Sequence, residues 1–239
     1  METATNCLNC GKPLKSKHRF CPKCGQSAKT RRFSLREVGR EMQKRVLHAE
    51  AGILQLTRAL ALRPGVVARE YVEGKRKKYY SPLKYLTLSA AVSVFINEYF
   101  SLLDNMHANS NPGTEIATRF FNLIILLSVP ISAFFSWLLF KKKSFNFAEN
   151  LVLHAYLGGF RTVFFILLFT PLVVWFPEYY YRVLSVYFSI WFVYMAWALM
   201  QFFGGPIWLT VLKTLLILLF NQVVITGAIF AGIIIRLRL

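Results

Sequence analysis

Five long apolar runs fill the last two-thirds of this 239-residue chain, and they constrain its fold more than any other feature. They lie at about residues 83–103, 120–140, 151–176, 183–203 and 207–235. A helix rises ~1.5 Å per residue, so ~20 such residues cross a hydrocarbon core of ~30 Å. A soluble domain of this length could bury a core, but it would not carry runs of this kind. The overall composition agrees, with 55% hydrophobic residues and a mean hydropathy of +0.43. The third and fifth runs exceed one crossing, so tilt, a kink or an interfacial end is expected, and the fifth leaves room for a re-entrant segment. Pro130 and Pro171 are candidate kink sites.

The front of the chain has a different solvent. Residues 1–84 hold 20 Lys/Arg against 6 Asp/Glu, and residues 85–239 hold 9 against 5. All four cysteines lie in that basic front, as Cys7-x-x-Cys10-Gly11 and Cys21-x-x-Cys24-Gly25, with ten residues between the pairs. Tetrahedral zinc needs four soft ligands converging on one point, and two such turns present two sulfurs each. No apolar leader precedes the cysteines, so a reducing cytoplasmic setting is expected, which favours Zn2+ over disulfides. Iron, a redox pair or two disulfides remain as alternatives. Four protein ligands leave no open coordination position, so the ion would hold the fold rather than catalyse. Lys12, Lys15, Lys17, Arg19 and Lys23 would offset the thiolate charge, and His18 reads as a surface loop histidine. The module is basic, but only Phe20 could stack on a base, which argues against nucleic acid and for a protein contact or docking onto the chain's own membrane domain.

Residues 29–33 read as a short basic linker. Ser34-Leu35-Arg36-Glu37 then has the form of a capping box. Leu35, Val38, Met42, Val46, Ala49, Ile53, Leu56 and Leu60 recur every three or four residues as one apolar stripe. Arg63-Pro64-Gly65 stops that helix, and a short one follows over residues 66–73. Lys75-Arg76-Lys77-Lys78 is a candidate site for anionic lipid headgroups, each cation near such a surface being worth about 1 kcal/mol. Tyr79 and Tyr80 suit the aromatic belt, and Ser81-Pro82 opens the first run. The stripe could lie in the interface or pack on the ends of the spans. A purely topological role for the charges is an equal alternative.

The positive front and Lys141-Lys142-Lys143 suit the inside, while residues 104–118, with Asp104 and Glu115, suit the outside. Five crossings then place Arg236 and Arg238 outside, against the rule. Within or beside the runs, Glu98, Glu149, His154 and Arg161 are the intramembrane polar candidates, because ionisable groups there are costly. His154 and Arg161 are seven apart and share a helical face. Asn97, Gln201, Asn221 and Gln222 add hydrogen-bonding capacity or simply join helices. No catalytic motif of a metallohydrolase, serine hydrolase or nucleotide-binding loop appears in the sequence, and no catalytic residue is assigned.

Three motifs together carry a resemblance. They are the cysteine pairs with Cys21-Pro22-Lys23-Cys24-Gly25-Gln26, then Arg63-Pro64-Gly65 with Tyr71-x-x-Gly74-x-Arg76-x-x-Tyr79-x-x-Pro82, and Phe147-Ala148-Glu149-Asn150-Leu151-Val152. Over residues 5–160 the chain resembles an uncharacterised bacterial family of zinc-ribbon, multi-spanning inner-membrane proteins. The resemblance implies a bacterial inner membrane with the ribbon on the cytoplasmic side, and no activity. Where such proteins commonly carry His after the acidic residue of the third motif, this chain has Asn150.

The expectation is therefore an all-α integral membrane helix bundle of about five spans. A small zinc ribbon over residues 1–28 and basic amphipathic helices over 29–82 precede the bundle of 83–239. A non-enzymatic protein is expected, its ribbon acting as a structural or partner-docking head. The expected partners are the lipid bilayer, anionic headgroups and a cytoplasmic protein, with no nucleic acid. Two rival readings are a transporter or channel using Glu98, His154 and Arg161, and a lipid enzyme using Glu149 and His154 as acid and base.

Overall fold

The computed structural model describes residues 6–30, 32–37, 39, 50–100 and 121–238. The upstream part of the expected apolar stripe (Val38, Met42, Val46 and Ala49), the 104–118 connection and the side chains of Asn97, Glu98, Arg236 and Arg238 lie outside the described residues. Among the described residues there is no β-strand. Two isolated bridges, Asn6 with Pro13 and Phe20 with Ser27, are the only extended pairings there. The rest is an all-α membrane helix bundle with a small cysteine head.

The helices, in chain order, are α1 (Glu50–Leu62), α2 (Pro64–Val72), α3 (Pro82–Phe100), α4 (Phe121–Leu139), α5 (Phe147–Phe164), α6 (Thr170–Trp175), α7 (Tyr180–Phe203) and α8 (Ile207–Arg238). A π-turn over Phe165–Phe169 joins α5 to α6 without a break. It immediately precedes Pro171, whose ring would clash with the carbonyl four residues back in an ideal helix. The wider turn accommodates it, and Thr170 N–H bonds to Phe165 instead.

The described parts of all five apolar runs are helical. Three are long and apolar enough to cross a bilayer: Phe147–Trp175, Tyr180–Phe203 and Ile207–Gly232. The described apolar parts of α3 and α4, Pro82–Ile96 and Ile124–Leu139, are shorter. Their outward faces are oily, with Val92, Phe95, Leu126, Leu127, Phe134 and Leu138 exposed. In water this would be unfavourable; against lipid it is not.

Helix α5 is the centre. It packs on α1, α2, α3, α4 and α7, and nearly every residue from Ala148 to Gly159 is buried. Its paired glycines make room for α3: a Cβ on Gly159 would sit 2.6 Å from the Tyr85 ring, and one on Gly158 would sit 2.7 Å from Val129 of α4. Small residues let helix backbones approach where lipid offers no hydrophobic drive for association. Helix α8 lies along α4, where Asn221 donates to the Ser128 carbonyl at 2.9 Å and to Ser132 Oγ at 2.6 Å. This is the helix-joining role open to Asn221 in the sequence.

The end of the bundle that carries the head is a layer of aromatic contacts. Phe140 stacks on Phe203 at 4.1 Å, Phe145 meets Phe202 at 4.5 Å, and the Lys213 ammonium stands 4.3 Å from the Phe140 ring. The Lys141–Lys143 turn and the Gly204–Pro206 turn therefore lie at the same end as the cysteines, as the charge pattern requires of segments on one side of a membrane.

Helix α1 is drawn into this end rather than left on the surface. Leu56 and Leu60 are fully buried in one core with Val67, Tyr71, Tyr156, Leu199 and Phe202. Tyr194 of α7 donates to the Leu60 carbonyl at 3.0 Å, satisfying an acceptor near the α1 C-terminus. Helix α2 begins at Pro64 with no side-chain cap of its own, and Gln201 of α7 supplies one: its Oε1 accepts from Gly65 N–H at 3.0 Å and Val66 N–H at 3.4 Å. Gly65 is needed for this approach, since a Cβ there would stand 2.1 Å from the Ala198 carbonyl oxygen.

Candidate metal centre and its seat on the bundle

The head is one motif used twice. In the first turn Cys7 N–H bonds to Lys12 O at 2.9 Å and Gly11 N–H to Cys7 O at 2.8 Å. In the second, Cys21 N–H bonds to Gln26 O at 2.7 Å and Gly25 N–H to Cys21 O at 2.9 Å. Gly11 (φ +73°) and Gly25 (φ +69°) take the left-handed conformation that closes each turn without a Cβ penalty. The flanking bridges pair Asn6 with Pro13 and Phe20 with Ser27 at the same offset. This short repeat was visible in the cysteine spacing.

The two turns face each other and bring four sulfurs together. Cys7 and Cys24 Sγ are 3.6 Å apart, as are Cys10 and Cys21, and all four lie within 4.8 Å of one another. A regular tetrahedron with metal–sulfur bonds of ~2.3 Å has sulfur–sulfur edges of ~3.8 Å, whereas a disulfide is ~2.05 Å. The four cysteines are free thiols whose spacing suits one metal ion. The turn backbone favours thiolates. Gln26 N–H helps pull the Cys24 thiol down to about 6, and the N–H of Cys24 lowers that of Cys21. The Lys12 N–H acts the same way on Cys10, but burial and the neighbouring thiols outweigh it and push that thiol up to about 11. Four sulfurs so close cannot all ionise without a cation between them. His18 Nδ1 accepts from Lys15 N–H at 3.2 Å and is not part of the cluster.

Two devices seat this head on the bundle. The first is Gln26, which follows the second turn and is buried. Its Nε2 donates to the Gly74 carbonyl at 2.8 Å and its Oε1 accepts from Lys77 N–H at 3.3 Å. Leu8, from the first turn, packs against Gly74. The second is the segment expected to be a basic linker. Arg32 Nε and Nη2 meet Glu149 Oε1 and Oε2 at 2.7 and 2.9 Å, and Nη2 also donates to the Ser144 carbonyl. Phe33 is wholly buried beside Tyr71, ring centroids 5.9 Å apart, with the Arg76 guanidinium over its ring at 4.9 Å. Asn146 Nδ2 donates to the Phe33 carbonyl at 2.9 Å.

The Glu149 carboxylate thus accepts three hydrogen bonds from two residues, Arg32 and Asn146. Besides holding Arg32, it closes a capping box with Asn146: Asn146 N–H donates to its Oε2 at 2.8 Å and Asn146 Oδ1 accepts from its N–H at 2.9 Å. His154 is buried five residues further along the same helix. That spacing separates the two by ~7.5 Å along the axis and ~140° around it. Arg161, on α5, reaches across to α7: its Nε donates to Tyr187 Oη at 3.2 Å and its guanidinium stands 5.4 Å from the Trp191 ring.

The Lys75–Lys78 run is split by the fold. Lys75 and Lys78 turn to Glu70 of α2, with Nζ–O distances of 2.9 and 2.6 Å, and Tyr79 donates to the same carboxylate. Burial raises the Glu70 carboxyl, but the hydrogen bonds from Lys78, Tyr79 and Lys75 outweigh it and hold it at about 2. Arg76 pairs with Glu37 at 3.2 Å. Lys77 stays exposed.

Residues 50–94 match a family model described as "Protein of unknown function (DUF3667)". The matched stretch covers α1, α2, the turn under Gln26 and most of α3. No curated protein and no solved structure matches the chain. The middle motif of the sequence lies within the match, and the structure gives its positions roles. Tyr71 packs between Phe33 and Tyr156, Gly74 receives Gln26, Arg76 covers Phe33, Tyr79 serves Glu70, and Pro82 begins α3.

Sequence reasoning missed Gln26, Arg32, Phe33 and Asn146. The signal for Asn146 was present: Asn-x-x-Glu before an apolar run has the form of a capping box. Gln26 and Arg32 act through partners 48 and 117 residues away, which no local pattern reveals.

Proposed function

We propose that the chain is a non-enzymatic bacterial inner-membrane protein whose zinc-stapled head presents a docking platform to a cytoplasmic protein. The observation that carries this reading is the clamp of Gln26 on Gly74 and Lys77. A head that only closed its own fold would need no buried side chain reaching into the bundle. Zinc suits four thiolates with no fifth donor in the cluster, and its contribution is to cross-link a segment too small for a core of its own. The ion fixes the two turns, Gln26 and Arg32 fix the head to α2 and α5, and the head's outer face holds one orientation. The head exposes Phe20, 64% accessible, and the lysines Lys12, Lys15, Lys17 and Lys23. The non-enzymatic reading is supported by the engagement of Glu149 in the latch and by its separation around α5 from His154.

A photo-crosslinking residue at position 20 of the full chain, expressed in cells, tests the docking role. The expected result is a discrete protein adduct that disappears in Cys21→Ser/Cys24→Ser. Absence of any adduct, or one unchanged in that variant, overturns it.

A further inference from the structure

Between the head and the bundle lies a cleft of about 410 Å³. Its wall brings together Lys29 from the head, Arg76 and Lys77 from the turn, and Lys84 from α3, along with Ser27 and Ser81. Glu37 is the one carboxylate among the lining residues, and it already faces Arg76. Folding has therefore gathered four cations from three separated segments against a single acid. Within one run the fold sorts the cations: Lys75 and Lys78 share Glu70, while Arg76, paired with Glu37, and Lys77 line the cleft.

Two further features point the same way. Helix α3 opens at this wall: Ser81 O accepts its first bond from Tyr85 N–H at 2.9 Å, and its first turn contains no acid. The positive end of a 19-residue helix adds to the four side chains. Ammonium, guanidinium and hydroxyl groups lining one cleft are the donor types that suit the acceptor oxygens of a phosphate group. The site also stands where apolar α3 begins, the level at which headgroup phosphates lie beside a helix entering a bilayer.

We propose that this cleft binds the phosphate group of an anionic ligand, carried either by a lipid headgroup or by a soluble phosphate ester. The site rests on the docked-head reading, because Ser27 and Lys29 belong to the head. Ligand binding would then draw the head, the turn and α3 together.

The test uses the full chain in a neutral detergent at 0.15 M salt. Its thermal midpoint is followed against dihexanoyl phosphatidic acid, inorganic phosphate and, as control, dihexanoyl phosphatidylcholine. A rise with phosphatidic acid alone assigns the site to a lipid headgroup, and a rise with inorganic phosphate as well assigns it to soluble phosphate. Either supports the proposal if Lys29→Glu/Lys77→Glu weakens the response at least about tenfold while Lys15→Glu/Lys17→Glu does not. Lys77→Ala is the milder variant should the double reversal fail to fold. No rise with either anion, an equal rise with phosphatidylcholine, or an unchanged response in the cleft variants overturns it. Metal content is measured in every sample. Retained metal with a lost response concerns the cleft alone, whereas lost metal or a protease-sensitive head in the unaltered chain would show that the head itself is not seated.

Discussion

Arg32 and Glu149 stand 117 residues apart in the chain and meet as a two-pronged pair, Nε to Oε1 at 2.7 Å and Nη2 to Oε2 at 2.9 Å. The carboxylate is almost fully buried and the guanidinium is 61% exposed. Most of the pair's consequence therefore falls on the buried partner, since removing Arg32 strands a charge that water barely reaches. The same carboxylate caps α5, so one side chain ties the head, the connection before α5 and the central helix together.

Glu149→Ala removes both the latch and half of the capping box. The expected loss is about 1–2 kcal/mol, from the cap and from charged hydrogen bonds discounted for the exposure of Arg32. Glu149→Gln, which keeps acceptors for Asn146 and Arg32, should lose less. Thermal unfolding of the two variants checks the order; equal midpoints in both and in the parent would remove the latch from the account.

Gln26→Ala should leave the sulfurs their metal and unseat the head. Its bond to the Gly74 carbonyl is buried and the one from Lys77 N–H partly so, and leaving a buried group unpaired costs about 1–3 kcal/mol. Limited trypsin digestion should then cut at Lys29 or Arg32 in the variant and not in the parent, while metal analysis of both still gives one ion per chain. A variant as resistant as the parent would refute the clamp.

Metal retention should fall with acid. Metal binding requires all four sulfurs as thiolates, and protons compete for them, so the affinity decreases as pH falls. Dialysis of the full chain across pH 8 to 4, followed by elemental analysis, should show zinc leaving on the acidic side. Zinc retained undiminished at pH 4, or iron as the dominant element, would contradict the assignment.

The Glu70 network has its own pH signature. Its carboxyl is held at about 2 in the folded protein, below the ~4.3 of a free glutamate. A depressed carboxyl contributes stability that is fully present above the unfolded value and disappears as pH falls through the folded one. Stability should therefore decline between about pH 5 and 2, and Glu70→Gln should flatten that decline. Partial exposure of Lys75 and Lys78 keeps the effect small. An identical acid profile in parent and variant would rule the network out.

Gly65→Ala should be among the most damaging single-methyl changes in the chain. The added carbon would fall 2.1 Å from a backbone carbonyl of α7, which cannot swing aside as a side-chain tip can. Overpacking of this kind costs about 1–3 kcal/mol and here also disturbs the Gln201 cap. Gly204→Ala is not an equivalent control, because Gly204 has a left-handed φ of +66°; Gly227→Ala in α8, with open space around it, is. Comparable midpoints for Gly65→Ala and Gly227→Ala would show that the contact with α7 does not constrain the fold.

What the sequence determined by itself is whatever repeats locally. The cysteine spacing named the four sulfurs because each turn is closed by its own neighbours and glycine. The apolar runs marked where helices form because a long apolar run must satisfy its backbone polar groups within itself, and three of those helices are long enough to cross a bilayer. Lys141–Lys143 and the turn at Gly204–Pro206 fell on the head's end because charge and helix direction alternate along the chain. Only the tertiary structure decided what those elements are for. Phe33 reads as part of a basic linker and lies wholly buried beside Tyr71; Gln201 reads as spare hydrogen-bonding capacity and caps α2; two lysines of one run serve Glu70 while their neighbours line a cleft. Each of these depends on a partner brought close by the packing of α2, α5 and α7. A one-dimensional pattern records a residue's neighbours along the chain, whereas the energy of a buried polar or charged group is set by the neighbours it meets in space.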